Sequence, residues 1–431
     1  MMKPAIAAVA ALVTASVPMI PYAQAPAADL TFVQVGRLLA DPAAGKVETE
    51  KTLVISGGKV VEIRDGYQAG AGKVVDLRDS FVLPGLIDSH VHLTSELGPN
   101  QELEAVKRTS GDNTVEAYVN GMKTLRAGFT TVVSLGDDPD AIYALRDAVA
   151  SGRVTGPRIV AAGGVGAHGG HGDVHGFRAD ILHLMAPKGL CSGADDCRRA
   201  VRQAVQHGAD VIKIASTGGV LSNTAAGLGQ QMTDDELKAV VETAHSLGRQ
   251  VACHAHGADG VNAALKAGVD SIEHGSYIDE DSLKLFKQGG AYLVPTLLAG
   301  DTVTRQAESA PWMQPNVREK ARKVGPLMVA AAARARAAGV KFAFGTDSGV
   351  SPHGENAQEF ALMVKAGFTP LDAIRAATVW GAAHNRLSDQ IGSLAPGKAA
   401  DLIAVKADPL KDVAELERVS FVMKGGKVVA P

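Results

Sequence analysis

Apolar and polar positions change rhythm twice along the chain. Residues 30–83 carry short apolar or alternating runs broken by glycine, predicting strands over 31–35, 51–56, 59–64, 73–76 and 80–83, with Gly57-Gly58 as a hairpin turn. The last forty residues return to this style, with a strand over 400–405 and a hairpin of 419–424, Gly425-Gly426 and 427–429. Between these ends, short apolar runs alternate with longer amphipathic stretches. Eight strands are predicted at 85–91, 131–135, 158–162, 211–215, 250–254, 271–274, 291–296 and 341–345. Helices are predicted at 115–126, 140–151, 196–207, 234–247, 260–267, 281–288 and 317–338. Eight strand–helix alternations predict an α/β chain with a (β/α)8 TIM barrel, and the two β-rich ends predict one small β-sandwich built from both. The expected division is 1–25 as a leader, 29–83 as the first part of the sandwich, 84–391 as the barrel and 392–431 as the rest of the sandwich.

The leader has a short basic start, Met1-Met2-Lys3, an apolar run over 4–17 rich in Ala and Val, and a small-x-small site at Ala23-Gln24-Ala25. This is the pattern of a cleaved secretory signal peptide, too short and too Ala-rich for a spanning helix. The mature chain is expected to be secreted, in a bacterial periplasm, with no membrane insertion. The formal net charge of −3 implies no nucleic-acid partner. In an oxidising compartment Cys191 and Cys197, six apart, are expected to close a short disulfide loop. Cys253 lies beside His254 on a predicted strand, so its side chain points the other way and reads as a small buried hydrophobe.

Lys213 is the most informative residue. It sits in the apolar run Asp210-Val211-Ile212-Lys213-Ile214-Ala215, where an ammonium would be desolvated at high cost. One use for such an amine is carbamylation by CO2, which makes it a carboxylate able to bridge two metal ions. His90 and His92, in Asp88-Ser89-His90-Val91-His92, share one face of the first barrel strand. His254 and His256 share a face at the fifth, His274 ends the sixth, and Asp347 ends the eighth. Each alone has an ordinary explanation, as a satisfied core histidine or a turn aspartate. Together they fall at the ends of strands one, four, five, six and eight, where TIM-barrel sites are built, and imidazole and carboxylate suit zinc.

This set, with Pro84-Gly85-Leu86-Ile87-Asp88 before it and Gly392-Ser393-Leu394-Ala395-Pro396-Gly397-Lys398 near the end, resembles the amidohydrolase superfamily over nearly the whole mature chain. His254-Ala255-His256-Gly257 and Ile272-Glu273-His274-Gly275 look most like its imidazolonepropionase-related branch, which holds zinc prolidase-like dipeptidases and carboxypeptidases and ochratoxinase-type amidohydrolases. The resemblance implies that His90, His92 and Asp347 hold one divalent ion, that His254 and His274 hold a second, and that N6-carboxylated Lys213 bridges them. His256 would then face substrate. Four imidazoles favour Zn2+. Two such ions lower the pKa of a shared water, and Asp347 is expected to act as general base and then acid. The implied partner is a small amide or peptide substrate, such as an N-acyl amino acid or dipeptide, with hydrolysis of ochratoxin A to ochratoxin alpha and phenylalanine within reach. Family members often form homo-oligomers.

The loop at 163–176 holds His168, His171 and His175 among seven glycines, and His171 is the leading candidate in it for substrate contact. After strand four, Gly219 and Val220 are expected to line the pocket. A cyclic amide hydrolase or lactonase is the main alternative, since the same site serves both. A deaminase would want a Glu shortly after the fifth-strand His; Gly257, Ala258 and Asp259 follow instead, and Lys213 would have no task. A protein that only stores zinc is a third reading, opposed by the open position such a ligand set leaves for water.

Overall fold

The computed structural model describes Met1 and residues 30–222 and 227–430. The leader expected at 1–25 lies almost wholly outside the described residues. Among these residues no helix is long and apolar enough to cross a membrane.

All eight expected barrel strands form. Leu86–Val91, Phe129–Ser134, Arg158–Gly164, Val211–Ala215, Gln250–Ala255, Ser271–His274, Tyr292–Val294 and Lys341–Phe342 pair in chain order as one parallel sheet. The sheet curls until its edges meet: Ser89 N–H donates to Phe344 O (2.8 Å) and Asp347 N–H to His90 O (2.7 Å). Strands buried on both faces read as continuous apolar runs. Their outward residues, Leu86, Phe129, Ile212 and Ile272 among them, pack under the helices. Inward, Val133, Leu135, Ala162, Val211 and Ala252 form a separate small cluster.

The two chain ends join one seven-stranded sheet, in the order Lys427–Ala430, Phe421–Lys424, Leu402–Val405, Lys73–Pro84, Thr31–Leu38, Glu48–Ser56, Lys59–Asp65. Val33, Val35, Leu53, Leu77, Leu402 and Met423 give it a core of its own. Gly57-Gly58 and Gly425-Gly426 turn its hairpins with positive φ at both residues (57° and 78°, 54° and 73°), the conformation a two-residue hairpin requires. The expected strands at 73–76 and 80–83 are one continuous strand, Lys73–Pro84. The ladder absorbs the irregularity opposite it, where the pairing slips between Val35 and Arg37.

The expected helices form, several with earlier starts. The first of them, Ser110–Arg126, begins five residues before the periodicity does, because Thr109 and Asp112 make a reciprocal capping box. Several helices have no counterpart among the expected elements: the short Gln101–Lys107, Ala179–Met185, Gln358–Lys365, Pro370–Ala376 and Val379–His384, and the longer Leu297–Ser309, directly after the seventh strand. At the start of Leu297–Ser309, Thr296 gives no side-chain cap. Glu359, 62 residues away, accepts instead from Leu297 N–H (3.0 Å) and Leu298 N–H (2.6 Å). The disulfide Cys191–Cys197 is formed, at the start of helix Ala194–His207. Cys253 is a free thiol fully buried in the core under the helices, and that burial pushes it up to about 11.

Candidate metal centre

The C-terminal ends of the barrel strands open into a cavity of about 950 Å³. His90, His92, His171, Lys213, Val220, His254, His256, His274 and Asp347 all line it. Gly219 does not line it but lies against the His171 ring, where a Cβ would overlap the imidazole.

Two groups of three side chains each bring ligand atoms within 4.8 Å of one another: His90, His274 and Asp347, and His254, His256 and His274. His274 belongs to both. Asp347 Oδ1 is 3.0 Å from His92 Nε2 and 3.4 Å from His90 Nε2. Lys213 Nζ reaches to 3.4 Å from the same His90 nitrogen. The structure thus gathers all six expected ligands. It also adds His256 to the imidazole cluster, packed at 5.0 Å against His274 and 4.8 Å from His254 between ring centroids. Both members of the fifth-strand pair reach the cluster, because His256 follows the strand end and its backbone N–H is drawn in by Thr217 Oγ1 (2.9 Å).

The electrostatics suit cation binding. Burial holds His90, His254 and His274 well below the ordinary histidine value, and places His171 at about 4 and His256 at about 3. Neutral imidazoles are the form that ligates metals. Burial alone would raise Asp347, but the His90 and His92 imidazoles and the Lys213 amine outweigh it and hold the carboxyl at about 2. Burial lowers the Lys213 amine from its ordinary value. The donor set therefore fits divalent ions: neutral nitrogens, one ionised carboxylate, and an amine whose charged form is disfavoured.

A further layer fixes these rings, and sequence reasoning passed over it. Glu273, fully buried, accepts from His90 Nδ1 (2.8 Å) and from Ser271 Oγ (2.6 Å). That leaves His90 Nε2 as the free acceptor. Strand alternation would place Glu273 and His274 on opposite faces. His274 has φ 75°, and this left-handed turn at the strand end lets both reach the cavity side. His274 Nδ1 bonds Thr296 Oγ1 (2.6 Å), and His256 Nδ1 bonds Ser276 Oγ (2.7 Å). Thr296 (φ 48°) and Asp347 (φ 58°) are also left-handed, a strain that clusters at functional sites. Beneath the first and eighth strands, Asp88 accepts from His90 N–H, Thr346 N–H, Thr346 Oγ1 and Asn356 Nδ2, tying the two ligand-bearing strands together. Its burial lifts the carboxyl to about 6.

The glycine-rich loop delivers one of its three expected histidines. His171 stacks on His254 with centroids 4.1 Å apart, and its buried Nδ1 has no partner. His175 instead bonds Gly170 O (2.8 Å), and His168 is exposed beside Asp173. Lys320, from helix Pro315–Ala337, donates to Gly219 O (2.9 Å) and to Ser222 O, pinning the loop after the fourth strand.

Known proteins place this arrangement. Ochratoxinase from Aspergillus niger is 32% identical over 378 residues, covering 80% of this chain and 75% of that protein. A crystal structure of a Xaa-Pro dipeptidase with methionine bound in its active site superposes with a TM-score of 0.88 at 39% identity, covering 93% of this chain and 99% of the other. A prolidase complexed with N-methylphosphonate-L-proline superposes with a TM-score of 0.83 at 30% identity, covering 93% and 99%. The sequence model of the amidohydrolase family matches residues 81–429, the barrel and the C-terminal strands together. The chain belongs to the amidohydrolase family, and it is a hydrolase of amide bonds.

Proposed function

We propose that this protein is a two-metal amidohydrolase that cleaves small N-acyl amino acids or dipeptides. The observation that carries the reading is the pair of donor triads meeting at His274, with Lys213 beside His90 between them. His90, His92 and Asp347 would hold one ion and His254 and His274 the other. Zinc suits this imidazole-rich set. When bound, such ions supply Lewis acidity and a water of lowered pKa.

The chain's own groups do the rest. The Lys213 amine, its charged form disfavoured by burial, would add to CO2, with a bond formed between Nζ and carbon and one proton released, and the resulting carbamate would serve as a ligand to the ions. Asp347, held ionised by the imidazoles around it, takes the proton of the attacking water and returns it to the leaving amine. His171 and His256 face the substrate. The His171 ring lines the cavity beside His254, which makes it the leading substrate contact of the glycine-rich loop.

The dipeptidase, prolidase and ochratoxinase among its relatives support an amide between an acyl group and an amino acid, and make ochratoxin A a substrate to try. We further read the chain as exported through its leader, the end sheet as a small sandwich closed over its own core, and the assembly as a homo-oligomer. The test is amino-acid release by zinc-loaded mature protein from dipeptides, N-acyl amino acids and ochratoxin A. Release is expected. No release with two metals bound per chain would refute the reading and favour cyclic amides or lactones.

A further inference from the structure

We infer that the barrel carries a second binding site, at the end opposite the metal centre, for a small monocarboxylate with a compact apolar body. The inference goes beyond the amide-hydrolase reading and does not depend on it.

A cavity of about 370 Å³ lies at the N-terminal ends of the barrel strands. Arg158, Val211, Gln250 and Ser271, the first residues of strands three to six, all line it. His384 to Leu387, where helix Val379–His384 ends, complete the lining. None of the six expected metal ligands takes part, and Leu135 is the one residue shared with the lining of the upper cavity. The volume falls within the ~300–1,000 Å³ range of small-molecule sites.

Four arginines line this cavity, and three are engaged. Arg146 pairs with Asp147 and Asp210 (2.9 Å each), and Arg158 pairs with Asp401 (2.9 Å). Arg386 reaches Gly248 O (3.4 Å) and lies 3.7 Å from Asp270. Arg249 is different. It is half-buried, its Nε is enclosed without a partner, and among the described residues no carboxylate or carbonyl meets its guanidinium. Asp270 does not serve it, since its Oδ2 already receives His245 Nε2 and the Val251 N–H (2.8 Å each). A carboxylate matches the terminal nitrogens of such a planar cation. Asp147, Asp210 and Asp270 line the same cavity and would repel a doubly charged ion more strongly, so a single negative charge fits best.

The rest of the wall is apolar. Val133, Val160, Val211 and Ala252 belong to or pack on the small inward cluster of the barrel, and Leu387 stands with them. Val160 and Leu387 are only half-buried. The two serines in the lining are already committed. Ser89 Oγ accepts from Asn385 Nδ2 (3.0 Å), and Ser271 Oγ donates to Glu273 (2.6 Å). A polar body placed here would give up its water for no partner, whereas a branched alkyl group gains by the same transfer.

The probes are isovalerate, acetate, isovaleramide and inorganic phosphate, titrated calorimetrically into metal-free and zinc-loaded protein. Isovalerate is expected to bind at one site common to both forms, at least about tenfold tighter than acetate, which lacks the branched body, and than isovaleramide, which lacks the charge. Arg249→Gln is expected to weaken isovalerate about 10–100-fold, with zinc content as in wild type, and Arg249→Lys to recover part of the loss. Val160→Phe, which fills the apolar end, is expected to weaken isovalerate at least about tenfold. Thermal melts check folding, and if Val160→Phe does not fold, the Arg249 variants carry the test. Isovalerate that fails to bind, or binds no tighter than acetate or isovaleramide, would overturn the site. So would phosphate bound tighter than isovalerate, or unchanged isovalerate binding in Arg249→Gln.

Discussion

Glu273 offers the sharpest test of how the centre is held. Its two oxygens receive His90 Nδ1 at 2.8 Å and Ser271 Oγ at 2.6 Å, with no solvent contact. In Glu273→Gln the amide oxygen can still accept from His90, and the Ser271 hydroxyl can rotate to accept from the amide NH2. What is lost is the charge. Hydrogen bonds to charged groups contribute about 1.5–3 kcal/mol, against about 0.5–1.5 for neutral ones. The difference of about 1 kcal/mol predicts a roughly fivefold fall in metal affinity. Glu273→Ala goes further. It leaves the His90 N–H and the Ser271 hydroxyl unpartnered in a dry site, at about 1–3 kcal/mol each, and frees the imidazole to rotate or change tautomer. Removal of such a carboxylate behind a ligating histidine costs about 10–100-fold in metal affinity or activity. Chelator-competition titration with Zn2+ measures the affinity, and kcat/KM on the best dipeptide measures the consequence. The reasoning is refuted if Glu273→Ala melts at a lower temperature yet binds zinc and turns over substrate as wild type does. Glu273 would then be a packing residue only.

Four other substitutions follow from the same geometry. Lys213→Ala should abolish activity and lower the metal content of soluble protein by metal analysis, and short-chain carboxylic acids should restore part of the turnover; wild-type activity would sink the bridging role. Glu359→Ala strips two buried N–H groups of their acceptor at the helix that follows Thr296. Losses of about 2–6 kcal/mol in chemical denaturation are expected, with Glu359→Gln recovering part. Gly219→Ala puts a methyl into the His171 ring, so it should raise KM or lower kcat while metal content stays at the wild-type level; unchanged kinetics would remove His171 from substrate contact. Cys191→Ser or Cys197→Ser opens a loop closed between residues six apart, which the chain-entropy relation values at about 2 kcal/mol. A denaturation midpoint indifferent to reductant in the wild type would contradict that.

Sequence periodicity carried the barrel because its strands are buried on both faces and its helices on one. Each leaves a rhythm that does not depend on distant residues. His90, His92, Lys213, His254, His274 and Asp347 were legible for a related reason: an ionisable group at the end of an apolar run has few ordinary uses. The misses are residues whose partners are remote in sequence. Helix Leu297–Ser309 has no N-terminal signal of its own, because Glu359 supplies its cap across 62 residues. Glu273 was visible inside its motif, but its contact with His90 spans 183 positions. Period-two reasoning put His256 on the face of His254, but its packing against His274 turned on the chain's path after the strand end.

The sheet shared by the two chain ends has a consequence for the order in which the molecule is made. Lys73–Pro84 pairs on one side with Thr31–Leu38, which precedes it, and on the other with Leu402–Val405. That second partner leaves the ribosome roughly 320 residues after the strand itself, on the order of 15–60 s later at ~5–20 residues per second. Throughout that interval one edge of a twelve-residue strand stands open, and open strand edges are templates for pairing with other chains. The end sheet is therefore the last part of the molecule that can close, even though its first strands are among the earliest made. A chain terminated before Leu402 would carry every candidate ligand from His90 to Asp347 on a body with an adhesive seam, and its fate would be association rather than turnover.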